Sequence, residues 1–249
     1  MKKIVIASNN LGKLNEIGAI LAPLDIEIVA QSTLGVSEAE EPHFTFVENA
    51  LAKAHHASRA TGLPALADDS GICVDALGGL PGVHSARFAG EAPAGTPRTR
   101  EAQDERNNRE LLARLASQSN RKAHYYCVIV LTRSADDPRP MICEAEWHGE
   151  IVQTPRGSRG FGYDPLFMVE GLRKTGAELP PDEKNRISHR AQALAQLVAR
   201  LKAELGLQDS AAKRTDAGGR MKNPGFKSED EAVRARIVPS RFRTDRNKP

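Results

Sequence analysis

The apolar and polar positions of this chain change period several times, and each change marks an element. "KKIVIAS" is a short β-branched run that reads as a first strand. "NNLGKLNEIGAILAPL" then puts Leu14, Ile17, Ile20 and Leu21 on one helical face, with Pro23 marking the end. "DIEIVAQ" alternates as a second strand. In "TFVENALAKAHHASRATG", Thr45 and Glu48 have the spacing of a capping box, so a helix is expected from Thr45 to a stop near Gly62. The strand "PALAD", a polar turn "DDSG" and the strand "ICVDAL" are expected next, and "GGLPGVHSARFAG" is punctuated as an irregular segment. "DERNNRELLARLAS" reads as a helix, while "AHYYCVIVLT" and "PMICEAEWHGEIV" read as neighbouring strands across "SADDPR". A last helix starts near Ser188 and carries Leu194, Leu197, Val198, Leu201 and Leu205 on one face. Strands mixed with helices, and at least one hairpin, indicate an α/β protein around a mixed sheet.

Composition narrows this picture. The 249 residues suffice for one large domain, or a domain with an appendage. A hydrophobic content of 40% with 27% charged residues is that of an ordinary globular chain. No apolar run approaches the roughly 18 residues of a membrane span, and the N-terminus lacks a signal peptide's apolar region, so a cytoplasmic protein without membrane association is expected. Cys73, Cys127 and Cys143 lack metal-type spacing and read as free thiols, two of them in apolar runs. The net charge of +3 is uneven: residues 209–249 hold 11 Lys and Arg against 6 Asp and Glu, leaving the body at −2. The body's charge does not argue for a nucleic-acid surface. Domain boundaries are expected at 1–205 for a folded unit and 206–249 for a basic tail, whose composition is that of a disordered segment. A solvated appendage is the preferred reading of that tail over a nucleic-acid-binding one.

Four stretches carry chemistry. "SNNLGK" follows a strand and opens a helix, where backbone N–H groups and the positive dipole end favour an anion, with Lys13 as a point charge. It is not a Walker A loop, and an ordinary capped turn would read the same way. "EAEEP" (Glu38, Glu40, Glu41) and "DDSG" (Asp68, Asp69, Ser70) offer carboxylates suited to Mg²⁺ or, at Asp69, to a general base on water. The alternatives are a solvated acidic loop and an Asx-type turn. "RGFGYDPLF" sets Phe161, Tyr163 and Asp164 among glycines, suiting recognition of a planar base or, equally, a hairpin loop with a core aromatic. "DEKNRISHRAQAL" places Lys184, His189 and Arg190 at a helix start, against the helix dipole, which calls for something electronegative nearby. Together these are the parts of a nucleoside triphosphate site.

The blocks "SNNLGKLNEI", "TFVENALAKA", "ADDSGICVDALGGLPGVHSARFAG", "GFGYDPLF" and "EKNRISHRAQAL", in this order over about residues 3–205, resemble the inosine triphosphate pyrophosphatase family. Its bacterial members, the XTP/dITP diphosphatases, remove non-standard purine nucleotides. The resemblance implies an elongated two-lobed α/β fold around a long mixed sheet with flanking helices, an active-site cleft between the lobes and a homodimer. It implies Mg²⁺-dependent hydrolysis of dITP, ITP or XTP to the monophosphate and pyrophosphate. Carried over by motif, Ser8, Asn9, Asn10, Leu11, Gly12 and Lys13 would cradle the triphosphate, and Asp69 would be the catalytic acid/base and a metal contact. Ser70 would touch substrate, a glutamate of "EAEEP" (Glu40 or Glu41, with Glu41 preferred) would be the second metal ligand, and Phe161, Gly162, Tyr163 and Asp164 would hold the base. Lys184, His189 and Arg190 would complete the site. The link "EAPAGTPRTREAQDERNN" is longer than the family's usual one, and the tail has no counterpart in its pattern. Competing expectations are a pyrophosphatase of the same fold with other nucleotides as substrates, and a nucleic-acid-binding protein acting through the tail.

Overall fold

The computed structural model describes residues 2–24 and 26–206. The expected tail lies outside these residues, apart from Gly206, whose left-handed backbone closes the last helix. In chain order the elements are β1 (Lys3–Ile6), α1 (Leu11–Leu21), β2 (Glu27–Ala30), α2 (Phe46–Thr61), β3 (Ala65–Val74), α3 (Arg100–Arg114), β4 (Lys122–Thr132), β5 (Met141–Ile151), β6 (Phe167–Val169), α4 (Pro181–Ile187) and α5 (His189–Leu205). The strands form one six-stranded sheet in the order β2-β1-β3-β4-β5-β6. β1 runs parallel to β2 and β3, and β3 through β6 are antiparallel, so the sheet is mixed as expected.

Each face is covered by a different kind of helix. On one face Ile17 and Leu21 of α1 and Leu194, Leu197 and Leu201 of α5 pack onto Ile4, Ile6, Leu66, Ile129 and Leu131. On the other, Ala50, Ala54 and Ala57 of α2 meet Val5, Ala65, Ala67, Val128 and Val130. The small side chains let this helix lie close to the sheet. At the far end of the sheet Tyr125, Trp147, Tyr163, Leu166 and Phe167 form a third cluster with Leu111 of α3 and Leu115 just after it. Thr45 caps α2 as its spacing predicts, accepting from the Glu48 N–H at 3.3 Å, and its own hydroxyl donates to the Glu48 carboxylate at 2.6 Å.

Two expectations are corrected here. The polar turn expected at "DDSG" does not exist: β3 is a single strand, paired residue by residue with β4 from Ala65 opposite Thr132 to Val74 opposite Ala123. Asp68, Asp69 and Ser70 therefore lie in mid-strand with alternating faces, and Asp69 does not end a strand. Helix α3 begins at Arg100, capped by the Thr99 hydroxyl, four residues before the expected "DERNN" start. Gly71 explains the strand's continuity on the second face. A 3₁₀ turn at Gly82–Arg87 seats against it so closely that a Cβ there would lie 2.5 Å from Ser85 Oγ and against the Gly82 carbonyl. Ser85 Oγ accepts from the Ile72 N–H at 2.9 Å, pinning the turn to the strand.

Candidate active site

A cavity of about 930 Å³ opens beside the middle of β3, within the range of small-molecule sites. Its lining includes Ser8, Asn9, Asn10, Leu11, Gly12 and Lys13, then Glu41, Asp69 and Ser70, then Phe161, Gly162, Tyr163 and Asp164, then Lys184, His189 and Arg190. Residues from all four chemistry-bearing stretches thus meet in one place. Glu40 is exposed and outside this lining, whereas Glu41 faces it.

The α1 turn is built by its cap. Asn10 Oδ1 accepts from the N–H groups of Gly12 (3.0 Å) and Lys13 (3.4 Å), and Ser8 Oγ accepts from the Asn10 N–H (3.2 Å). Lys13 reaches across to the Asp68 carboxylate. A Cβ on Gly12 would sit 2.6 Å from the Phe161 ring, so only glycine lets the aromatic loop close over the first turn of α1.

Asp68 points to the α1/α5 face, where it is fully enclosed. Arg190 Nε meets its Oδ2 at 2.9 Å, Cys127 Sγ donates to the same oxygen at 3.0 Å, and Ser70 Oγ donates to Oδ1 at 3.0 Å. Burial disfavours this carboxylate's charge, yet Arg190 and Lys13 hold its pKa well below the usual value. Arg190 also pairs with Glu16 of α1 and donates to Ser70 Oγ at 2.9 Å. Glu16 and Asp164 share Lys184, at 3.2 and 2.6 Å. These acids are the electronegative neighbours that Lys184 and Arg190 called for. Lys184 in fact stands on the separate helix α4, in its last turn, where the dipole favours a cation.

Asp69 points to the opposite face of the sheet from Asp68. Lys53 of α2 lies between it and Glu41, with Nζ 2.7 Å from Asp69 Oδ1 and 2.6 Å from Glu41 Oε1. Arg87, brought in by the 3₁₀ turn, donates to Glu41 Oε2 at 3.1 Å. Burial raises the pKa of Asp69 above its ordinary value against the pull of Lys53 and Lys13, with Glu41 adding to the rise. Burial works the same way on Glu41, but Lys53 and Arg87 prevail and its pKa is lowered. Asp69 Oδ2 is buried without a hydrogen-bond partner among the described residues. Among the described residues no group of three or more His, Cys, Asp or Glu side chains could hold an ion by itself. The pair instead fits a hard divalent cation that takes one or two protein carboxylates and completes its shell with water and phosphate oxygens.

In the "RGFGYDPLF" loop the two aromatics have different places. Phe161 faces the cavity, ringed by Lys184, Arg100 and Arg190 at 4.8, 5.7 and 5.8 Å from its centroid. Tyr163 is buried in the core, its hydroxyl donating to the Ser85 carbonyl at 2.9 Å. The core-aromatic reading of the loop is thus met by Tyr163, while Phe161 stands at the cavity. His189 stacks on Tyr125 at 4.6 Å and 5°, buried, and its Nδ1 has no partner among the described residues. Lys53, Glu16 and Arg87 are not singled out by sequence reasoning, and Cys127 is read there only as a free thiol. Only Lys53 left a signal, a lone cation within the stripe of Ala50, Ala54 and Ala57 on α2.

The sequence pattern that defines the Ham1 family matches residues 4–200. The chain belongs to the Ham1 family. A protein of Nitrosomonas europaea named dITP/XTP pyrophosphatase is 65% identical over 201 residues, covering 81% of this chain and 95% of the relative. Its namesake in Ralstonia nicotianae is 60% identical over 202 residues, 81% of this chain and 98% of the relative. The solved HAM1 protein of Coxiella burnetii superposes with a TM-score of 0.73 at 47% identity, over 82% of this chain and 100% of that one. The resemblance read from the five sequence blocks is therefore borne out, as is the α/β fold with a long mixed sheet.

One consequence for this Ham1 protein concerns pH. Burial, reinforced by Arg190 and Lys184, holds the His189 pKa well below its usual value, so the imidazole is neutral in the folded state. The unfolded chain takes up this proton near pH 6.5, which the folded state refuses. The stability tied to His189 is thus complete above that pH and is lost as pH falls, by up to about 1.4 kcal/mol per unit. Urea unfolding at about pH 7.5 and 5.5 should show a steeper loss in the wild type than in His189→Gln. Equal losses would mean that the ring is already charged in the fold.

Proposed function

We propose that this chain hydrolyses noncanonical purine nucleoside triphosphates (dITP, ITP and XTP) to the monophosphate and pyrophosphate, with Mg²⁺, as a cytoplasmic homodimer. The observation that carries the reading is the convergence on one cavity of a capped helix turn with Lys13, the Glu41–Asp69 pair and the Phe161–Asp164 loop. The names of close relatives, dITP/XTP pyrophosphatase, support the substrate class. Among the described residues no helix is long and apolar enough to cross a membrane.

The chemistry follows from the charges. Lys13, Lys184 and Arg190 face Asp68, Asp164 and Glu16, while Lys53 and Arg87 face Glu41 and Asp69. A polyanion must therefore exchange partners with these cations rather than meet free ones. Lys13 can turn from Asp68 to a phosphate without stranding the acid, because Arg190 remains on it. Asp69, whose Oδ2 has no hydrogen-bond partner among the described residues, is suited to take the proton of a water attacking the α phosphorus. Glu41 and Asp69 would hold Mg²⁺, which supplies neutralisation of the phosphate charge and a template for the departing pyrophosphate. Lys53, released from the two carboxylates, can follow the charge onto the phosphates.

Base choice follows from what faces the ring that Phe161 would stack. Lys184 and Arg190 lie beside it as donors, and neutral His189 offers an unpartnered nitrogen. A 6-keto oxygen can accept from such donors, whereas a 6-amino group offers them no acceptor and adds donors of its own. The direct experiment is product identification by ion-exchange chromatography after turnover of dITP. One pyrophosphate per dIMP is expected, and release of single phosphates with dIDP accumulating would overturn the cleavage site.

A further inference from the structure

We propose that Asp104 and Asn108 of α3 are positioning residues that set the geometry of the Phe161–Asp164 loop and, through it, the choice of base. The inference rests on the functional reading above. Gly162 sits in this loop with a left-handed φ of +63°, a position whose peptide planes are otherwise free to turn. Both of its backbone groups are taken by one helix. The Gly162 N–H donates to Asp104 Oδ2 at 2.8 Å, and Asn108 Nδ2 donates to the Gly162 carbonyl at 2.9 Å. The two side chains are one helical turn apart, on the same face of α3. Phe161 is held next to this clamp, its N–H donating to Asp164 Oδ2 at 2.9 Å, the oxygen that also takes Lys184.

A neighbouring residue of the same helix extends the brace. Asn107 is buried, and its Nδ2 donates to the carbonyls of Ser85 (3.3 Å) and Ala86 (3.1 Å) while its Oδ1 accepts from the Ala89 N–H (2.9 Å). It thereby holds the 3₁₀ turn that carries Arg87 to Glu41. Tyr163 closes the frame from the loop side through the same Ser85 carbonyl. The "DERNN" stretch of α3 is thus bonded at once to the loop under the base and to the turn beside the acid pair. Telling a keto from an amino group demands donors fixed within about half an ångström. A glycine loop alone does not provide that rigidity; a loop tied at both groups of its most pliable residue does.

Three variants and a control test this. Asp104→Ala and Asn108→Ala should lower the dITP-to-dATP ratio of kcat/KM by between about tenfold and about a hundredfold, chiefly through a higher KM for dITP. Hydrogen exchange at the Gly162 amide should quicken in Asp104→Ala. Asp104→Asn keeps an oxygen acceptor for that amide and should stay close to the wild type in both measurements. Leu112→Ala, which trims a side chain packed on the far cluster from the same helix, should lower Tm without moving the ratio. An unchanged ratio in both alanine variants, or an equal change in Leu112→Ala, overturns the positioning role. Unchanged Gly162 exchange in Asp104→Ala overturns the clamp itself. A wild type that does not prefer dITP overturns the functional reading, which is a separate result.

Discussion

Asp69→Asn is expected to lower the rate of pyrophosphate release by about 10²–10⁴-fold while leaving the fold intact. The carboxamide keeps the size of the side chain and an oxygen for Lys53, but it cannot take a proton. Lys53 also retains Glu41 at 2.6 Å, so no cation is stranded by the change. The loss should therefore fall on kcat with Tm shifted little, a split that steady-state kinetics and a thermal melt resolve together. Turnover near that of the wild type would remove Asp69 from the chemistry.

Arg190→Met is expected to have the largest effect on stability. The guanidinium is enclosed, pairs with both Asp68 and Glu16, and also donates to Ser70. Its removal leaves the buried Asp68 and the partly buried Glu16 with Lys13 and Lys184 as the remaining paired cations among the described residues. Breaking a buried pair in this way costs about 3–5 kcal/mol, and for a domain of this size a fall in Tm on the order of 10 °C follows. Adding Asp68→Asn should recover part of the loss, since the two groups share one network and their effects cannot be additive. Arg190→Lys should lie between, because one ammonium cannot reach the three acceptors that the planar fork serves. An unchanged Tm in Arg190→Met would mean that the network contributes nothing to the fold.

The contrast between these two aspartates shows what the sequence made legible. Helices α1, α2 and α5 were readable because each carries an apolar stripe at helical spacing and a recognisable stop at Pro23, Gly62 or Gly206. The pairing of β4 with β5 followed from two apolar runs across a short polar turn. The "DDSG" stretch was misread as a turn because locally it has every mark of one. What keeps it in a strand is remote: Lys13 comes from the first helix, and Arg190 lies 122 residues beyond Asp68. Long-range neutralisation of a buried charge leaves no local periodicity. The same reason hid Glu16 and Arg87, whose roles depend on where two other elements bring their partners.

The membership of the candidate site was more legible than its wiring. The family resemblance grouped Lys13, Glu41, Asp69, Phe161, Lys184, His189 and Arg190, and the fold brings them to one cavity. The wiring was not visible: which cation faces which acid, that Tyr163 is a core residue while its neighbour Phe161 faces the cavity, and that α3 ties the loop down. Gly160 and Gly162 would by themselves leave this loop pliable. Hydrogen bonds at Phe161, Gly162 and Asp164 fix it instead.

The central claim is tested most directly by pyrophosphate release from dITP, XTP, dGTP and dATP, each with Mg²⁺ and with EDTA. The proposed function predicts Mg²⁺-dependent turnover of dITP and XTP, with dATP disfavoured by up to roughly 10⁴-fold. Turnover of dATP as fast as that of dITP, or turnover that survives EDTA, would contradict it.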